Sequence, residues 1–154
     1  MRAFFFSIII LFCTTTGYAA IPWPFEPADS AQPLGNSYGE YQNYGGISYL
    51  HPGIDIMQPA GSRVYAVKAG WVKAVLTTSA ELHWRVAIGD SEGADSCDGW
   101  LYAHLELSTI AVSEWEHVDS GQYLGDIVAW PIADFNHCHF VKLRNAGISW
   151  GSNW

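Results

Sequence analysis

Short apolar segments separated by turn residues are the feature that most limits how this chain can fold. Runs such as Trp71–Leu76 alternate with clusters rich in Gly, Pro and Ser, and no long amphipathic helix is evident. Only residues 108–117 leave room for a helical turn. We therefore expect a mainly β fold: a compact antiparallel sheet arranged as a barrel or sandwich with long loops. Strands are predicted at 54–56, 64–67, 71–76, 84–88, 100–105, 122–129 and 136–140.

Residues 1–19 are typical of a secretory signal peptide. Arg2 precedes an apolar run over residues 3–12, and Gly17 and Ala19 place small residues at the two positions that a signal peptidase reads. The apolar run is short for a membrane span, and bulky Phe12 before Cys13 argues against lipidation. We expect cleavage, export to a periplasm or to the cell exterior, and no stable membrane anchor.

The charge balance limits the partners of the mature chain. The formal charge of −8 becomes −9 without the signal, which contains one basic residue and no acid. Nucleic acid requires a basic face, so no nucleic-acid partner is expected. A length of 154 residues with 49% hydrophobic and 14% charged residues suits one compact domain. We expect a monomer.

Two cysteines remain after export, Cys97 and Cys138. An oxidising compartment permits one disulfide if the fold brings their Cα atoms within about 7 Å. Two buried thiols are the alternative, and the sequence leaves both open.

A leader rich in Pro, Gly, Ser and Asn occupies residues 20–46, before the domain predicted over residues 47–154. Tyr38, Tyr41 and Tyr44 are spaced three apart, as on a helix face, but the surrounding glycines favour a loop. Such a loop can cover one side of a cleft or simply pack on the domain.

The segment Asn136–Phe140 contains two histidines separated by one residue. Strand side chains alternate, so His137 and His139 share one face and Cys138 points to the other. Two imidazoles on one face can share a metal, or one can bind it while the other transfers protons. Histidine pairs on strands are more often ordinary surface or core residues. Whether this pair belongs to a metal or catalytic site therefore depends on the other histidines of the chain.

Two further segments provide candidates. Pro and Gly between His51 and Asp55 argue against a helix, but a tight turn into a strand also brings the two side chains together. Asp55 lies between two isoleucines, where a carboxylate needs a partner such as a metal. His104, in an apolar strand, would alone be a core histidine. His83 and His117 are predicted to face solvent.

Together these residues suit a catalytic zinc site. Such a site takes three nitrogen or oxygen ligands and leaves a position for water, whose pKa the ion lowers to about 7. A nearby histidine that is not a ligand can then transfer a proton.

Four segments also resemble the M23 family of zinc peptidases, the LytM- or lysostaphin-like enzymes. HPGIDIMQPAGSRVYAVKAGWV at 51–72 is similar to their first half, in which H-x-G-x-D-I precedes P-x-G-x-x-V-x-A. YAHL at 102–105, VDSGQYLGDIV at 118–128 and HCHF at 137–140 resemble the central strand, a later turn and strand, and the closing motif. Their order agrees with the family from about residue 38 to residue 143.

The resemblance implies a role for five residues. His51, Asp55 and His139 would bind one Zn²⁺ per chain. His104 and His137 would be the catalytic histidines, one helping to deprotonate water and the other stabilising the oxyanion or protonating the leaving amine. The resemblance implies a metalloendopeptidase acting on peptidoglycan cross-bridges, stem peptides, glycine-rich bridges or another peptide substrate, and the signal peptide adds export.

The chain departs from the family in several places. The loop 129–136 is bulky and apolar where the family has a Gly-, Ser- and Thr-rich loop, which puts the substrate in doubt. Cys138 replaces a common Leu, and Val141 stands where an acidic residue often follows. The family often has a further segment after residue 154, so the chain is expected to be a truncated domain or the front of a longer protein.

Two rival hypotheses come from other functional classes. A catalytically silent module that binds cell wall or activates another hydrolase would usually lose ligands or catalytic histidines, whereas this chain keeps all five. A structural zinc site would not need His104 and His137, and would favour cysteine ligands. An active peptidase is the preferred interpretation.

Overall fold

The computed structural model describes residues 21–77, 81–93, 96–147 and Trp150. The predicted signal peptide lies outside these residues. Within them, no helix is long and apolar enough to cross a membrane. Helical geometry in the same part of the chain is limited to three single-turn 3-10 segments, at Tyr44–Gly46, Leu107–Thr109 and Ala133–Phe135. The prediction of a mainly β fold is confirmed.

Antiparallel strands form one large sheet and two small ones. The strands are β1 (Tyr41–Gln42), β2 (Tyr49–Leu50), β3 (Ile54–Met57), β4 (Arg63–Tyr65), β5 (Gly70–Leu76), β6 (Arg85–Gly89), β7 (Cys97–Ala103), β8 (His117–Val118), β9 (Tyr123–Asp126) and β10 (His137–Ala146). The large sheet has the order β3-β10-β7-β6-β5-β8, while β1 pairs with β2 and β4 with β9. Strand β10 is therefore flanked by β3 and β7. Asp55 lies on β3, His51 lies just before β3, and His104 lies just after β7.

The strand predictions hold better for the domain than for the leader. Every predicted strand overlaps an observed one, and the helical turn begins at Leu107. A loop is expected through residue 46, but Tyr41 pairs with Leu50 and Gln42 with Tyr49 in a β-hairpin. Gly45 and Gly46 lie in the turn of this hairpin, where Gly46 adopts φ +80°.

The larger of two core clusters lies on the face of β10 opposite to the two histidines. Cys138 is fully buried in a cluster with Ile56 and Tyr102, so the predicted alternation along β10 is confirmed. Apolar side chains of this size each contribute about 1.5–3 kcal/mol when buried. Cys97 and Cys138 are both free thiols, which resolves the two alternatives for this pair against a disulfide.

Close packing beside β10 requires a glycine. A Cβ atom on Gly53 would lie 2.5 Å from the Phe140 carbonyl oxygen and 3.2 Å from His139 Cε1. The absence of a side chain at Gly53 therefore lets the segment between His51 and Asp55 pack directly against β10.

Candidate metal centre and surrounding cleft

Strand register brings three of the predicted residues together. His139 on β10 lies opposite Asp55 on β3 and opposite Ala103, the last residue of β7, on its other side. Cross-strand neighbours share one face of a sheet, so Asp55 and His139 meet directly. His51 reaches them from the end of the β1–β2 hairpin, where its backbone N–H donates to the Glu40 carbonyl at 2.8 Å.

The side chains of His51, Asp55 and His139 converge on one point. Asp55 Oδ1 lies 2.9 Å from His139 Nδ1 and 3.2 Å from His51 Nε2, and the two nitrogens are 2.9 Å apart. Tetrahedral zinc with ligand bonds of about 2.0–2.1 Å separates its ligand atoms by about 3.3 Å. All three residues are buried. Two imidazole nitrogens and one carboxylate oxygen at these separations fit a zinc ion with only a small outward adjustment.

Backbone carbonyls orient three of the imidazole rings. The Nδ1 atoms of His51, His104 and His137 lie 3.2 Å, 2.7 Å and 2.8 Å from the carbonyl oxygens of Ser37, Leu82 and Phe135. A neutral ring that donates through Nδ1 keeps the lone pair on Nε2. His51 thus presents an acceptor nitrogen to Asp55 and His139, and His104 and His137 each keep a basic nitrogen.

The second oxygen of Asp55 is also held. Asn36 Nδ2 donates to Asp55 Oδ2 at 2.7 Å. The segment carrying Asn36 is itself tied to β3, because Asp55 N donates to the Asn36 carbonyl at 3.0 Å and Gly35 N donates to the Asp55 carbonyl at 2.9 Å. Partners of this kind fix the orientation of a ligating carboxylate. The leader therefore contributes to the site, although the boundary at residue 46 stays a prediction.

Burial and charge act in opposite directions on Asp55. Burial alone would raise the pKa of Asp55, but the hydrogen bond from His139 and the nearby His137, His139 and His51 bring it below its usual value. Burial lowers the pKa of His139, and its contact with Asp55 offsets this only in part. Both shifts favour an ionised carboxylate beside a deprotonated His139, which are the forms of these two side chains that bind a metal.

Aromatic side chains surround the two remaining histidines. The centre of the Trp130 ring lies 4.7 Å from the centre of the His104 ring and 5.1 Å from that of His137. The centre of the Phe135 ring lies 4.6 Å from that of His137. Burial, followed by the neighbouring His137, lowers the pKa of His104 to about 3. His104 is therefore neutral near pH 7.

His104 occupies an uncommon backbone conformation. Its φ is +66°, and Leu82, whose carbonyl it contacts, has φ +73°. A left-handed conformation costs energy for residues other than glycine and often accompanies a functional position. Here it ends β7 and turns the imidazole towards His137 on β10, with 4.6 Å between the two ring centres.

These groups line one cavity of about 480 Å³. The hairpin forms one wall and the loop 130–135 another, and the buried histidines and Asp55 form the floor. The lining residues are Asn36, Gln42, Tyr44, Tyr49, His51, Pro52, Asp55, His83, His104, Trp130, Ile132, Phe135, His137 and His139.

The histidines outside the family motifs differ in their placement. His117 is exposed, as expected. The prediction that His83 faces solvent is wrong, because its half-buried ring lies 5.2 Å from that of His104 and lines the cavity. Burial lowers the pKa of His83, as do Arg85 and His137. A histidine two residues before a strand gives no sequence signal for this position, and neither does Asn36 in a Gly- and Pro-rich segment.

Comparison with known families gives one match over most of the chain. Residues 49–148 match the family described as Peptidase family M23. None of the curated proteins matches the sequence significantly.

Solved structures share the fold. A zinc-containing peptidase from Vibrio cholerae has a TM-score of 0.63 and 22% identity, covering 82% of this chain and 37% of its own length. The catalytic domain of lysostaphin from Staphylococcus simulans has a TM-score of 0.61 and 22% identity, covering 75% and 82%. A variant of the catalytic domain of the prophage-encoded M23 protein EnpA from Enterococcus faecalis has a TM-score of 0.53 and 27% identity, covering 72% and 79%. The chain thus spans about a third of the Vibrio protein but most of the two isolated catalytic domains.

Proposed function

Because the chain belongs to peptidase family M23, we propose that it is an exported zinc metalloendopeptidase that hydrolyses peptide bonds in peptidoglycan cross-bridges or stem peptides. The convergence of His51, Asp55 and His139 within 3.2 Å of one another carries this proposal. Export rests on the signal-like residues 1–19. The cell wall as substrate rests on the family.

The proposed ligands are His51 through Nε2, Asp55 through Oδ1 and His139 through Nδ1. When bound, a zinc ion at this position supplies Lewis acidity that polarises a carbonyl and activates water. Asn36 holds the carboxylate, and the Ser37 carbonyl holds the His51 ring, so the orientation of both ligands is set by their neighbours.

His104 and His137 are proposed to handle protons and developing charge. Each ring donates through Nδ1 to a backbone carbonyl, so Nε2 accepts a proton from water or stabilises charge after protonation. His137 Nε2 lies 3.7 Å from Asp55 Oδ1, next to the proposed ligands. His104 is neutral near pH 7, so its Nε2 can accept a hydrogen bond from water, and the surrounding aromatic rings limit access of bulk water.

The experiment that tests this function combines metal analysis with a digestion assay. Elemental analysis of the purified mature chain should give about one zinc per chain, and the His139→Ala variant should contain none. The zinc-loaded protein should release new amino groups from purified peptidoglycan sacculi, and a chelator should stop the release.

Two results would contradict the proposal in different ways. Absence of zinc after reconstitution would remove the metal centre altogether. One zinc per chain without peptide release, from sacculi or from a general protein substrate, would instead favour the silent cell-wall module.

A further inference from the structure

The β1–β2 hairpin places one amide side chain inside the cavity. Gln42 on β1 lies opposite Tyr49 on β2, and His51 follows Tyr49 by two residues. Side chains alternate along strands, so these three residues point to the same side and all line the cavity. Tyr41 and Leu50 point away from it and are each 66% exposed.

The Gln42 amide is buried without a hydrogen-bond partner for its donor. Only 6% of Gln42 is exposed, and among the described residues Gln42 Nε2 has no acceptor within hydrogen-bond reach. Proteins retain few such groups because a buried, unsatisfied donor costs free energy. The position beside a proposed zinc ligand suggests that the missing acceptor belongs to a bound molecule.

The charges in the cavity indicate which acceptor it takes. Among the described lining residues there is no Lys or Arg, and Asp55 supplies a carboxylate. A substrate carboxylate entering here would be desolvated with no lysine or arginine side chain to pair with it, and Asp55 already balances part of the charge of the proposed zinc ion. A neutral amide carbonyl meets no such penalty, and a neutral amide N–H is its ordinary partner.

We propose that Gln42 Nε2 donates a hydrogen bond to a backbone carbonyl oxygen of the substrate, within the chain and next to the scissile bond. This inference rests on the proposed function. It makes Gln42 a substrate-binding residue that favours internal peptide bonds over bonds next to a free carboxyl terminus.

The test replaces the amide with a side chain of the same length. Gln42→Met keeps the unbranched shape and removes the donor. Gln122→Met is the matched control, because the Gln122 amide lies outside the cavity and is paired with Glu116 Oε1 at 3.2 Å and with the Asp119 N–H at 3.0 Å. Both variants and the wild type are measured as zinc-loaded full mature chains.

Release of amino groups from sacculi at low sacculus concentration should fall about tenfold in Gln42→Met, the effect of one hydrogen bond. Its zinc content should not change, and its thermal midpoint should be equal to or above that of the wild type, because the unsatisfied donor is gone. Gln122→Met should show the opposite pattern, a lower midpoint with unchanged release. Mass spectrometry of the fragments should show that internal bonds account for the loss.

Three results would overturn the inference. An active wild type with an equally active Gln42→Met removes the proposed contact alone. A lowered midpoint in Gln42→Met that matches its loss of release makes the residue structural, and a loss confined to bonds beside a free carboxyl group assigns the acceptor to a carboxylate. An inactive zinc-loaded wild type overturns the proposed function and this inference with it.

Discussion

Two groups of histidines lie side by side in one cleft and differ in what surrounds them. The carboxylate half consists of His51, His139 and Asp55, and the aromatic half consists of His104 and His137 with the rings of Trp130 and Phe135. Strand β10 contributes one histidine to each half, His139 to the carboxylate half and His137 to the aromatic half, two residues apart. His139 pairs with Asp55 across β3, whereas His137 pairs with Met57. Two steps along the same register therefore give the two histidines of β10 different cross-strand neighbours.

The difference in surroundings produces a difference in chemistry. A buried carboxylate within 3.2 Å of two imidazole nitrogens attracts a cation. Aromatic rings around the other pair remove water without adding charge, so the imidazole of His104 stays neutral. The comparison suggests that one half holds the metal and the other exchanges protons, and that each task depends on its own neighbours.

Removal of the carboxylate should have the largest effect. Asp55→Asn keeps the shape of the side chain but removes the negative charge that attracts the metal ion. We expect loss of bound zinc and no detectable release from sacculi, measured by elemental analysis and by amino-group release. A variant that keeps one zinc per chain would show that the histidines suffice and that the carboxylate half is misassigned.

A substitution in the aromatic half should reduce turnover and leave the metal in place. His104→Gln keeps a polar side chain but removes the basic nitrogen, so release from sacculi should fall about 10²–10⁴-fold. Zinc content should remain near one per chain. Loss of zinc in this variant would mean that the two halves do not act separately.

The sequence singles out all five candidate residues of the two halves, but not the contacts that bring them together. Strand alternation separates His137 and His139 from Cys138, and the motif around Asp55 draws attention to its carboxylate. The cross-strand pairing of His139 with Asp55 is a register, which depends on contacts distant in sequence. The positive φ of His104 likewise depends on the tertiary structure and has no local sequence signal.

The leader contributes residues to the cavity that its composition does not predict. Asn36 and Gln42 lie in a segment whose glycines and prolines predict only a loop, yet both line the cavity. Gln42 is placed by a hairpin of two residues per strand, which is too short for a periodicity to be recognised, and Asn36 is placed by backbone hydrogen bonds to β3.

A smaller effect is expected when a hydrogen-bond partner of Asp55 is removed and Asp55 itself is kept. Asn36→Ala deletes the hydrogen bond to Asp55 Oδ2, and the loss of such a partner typically weakens metal binding about 10–100-fold. Zinc affinity measured by competition with a chromophoric chelator should fall within that range. Asn43→Ala is the control, because Asn43 is exposed in the same hairpin. Equal affinities in the two variants would make Asn36 irrelevant to the metal.

The smallest effect concerns pH and the aromatic half. The pKa of His104 is about 3 in the fold against an ordinary value of 6.5, so the unfolded chain binds a proton that the folded chain does not. The resulting stabilisation is present above pH 6.5 and is lost as the pH falls towards 3. Between pH 6.5 and 5.5, the zinc-free wild type should lose about 1 kcal/mol of unfolding free energy more than His104→Gln. Urea unfolding at both pH values measures this, and parallel losses in the two proteins would show that His104 titrates normally and that the aromatic rings do not keep it neutral.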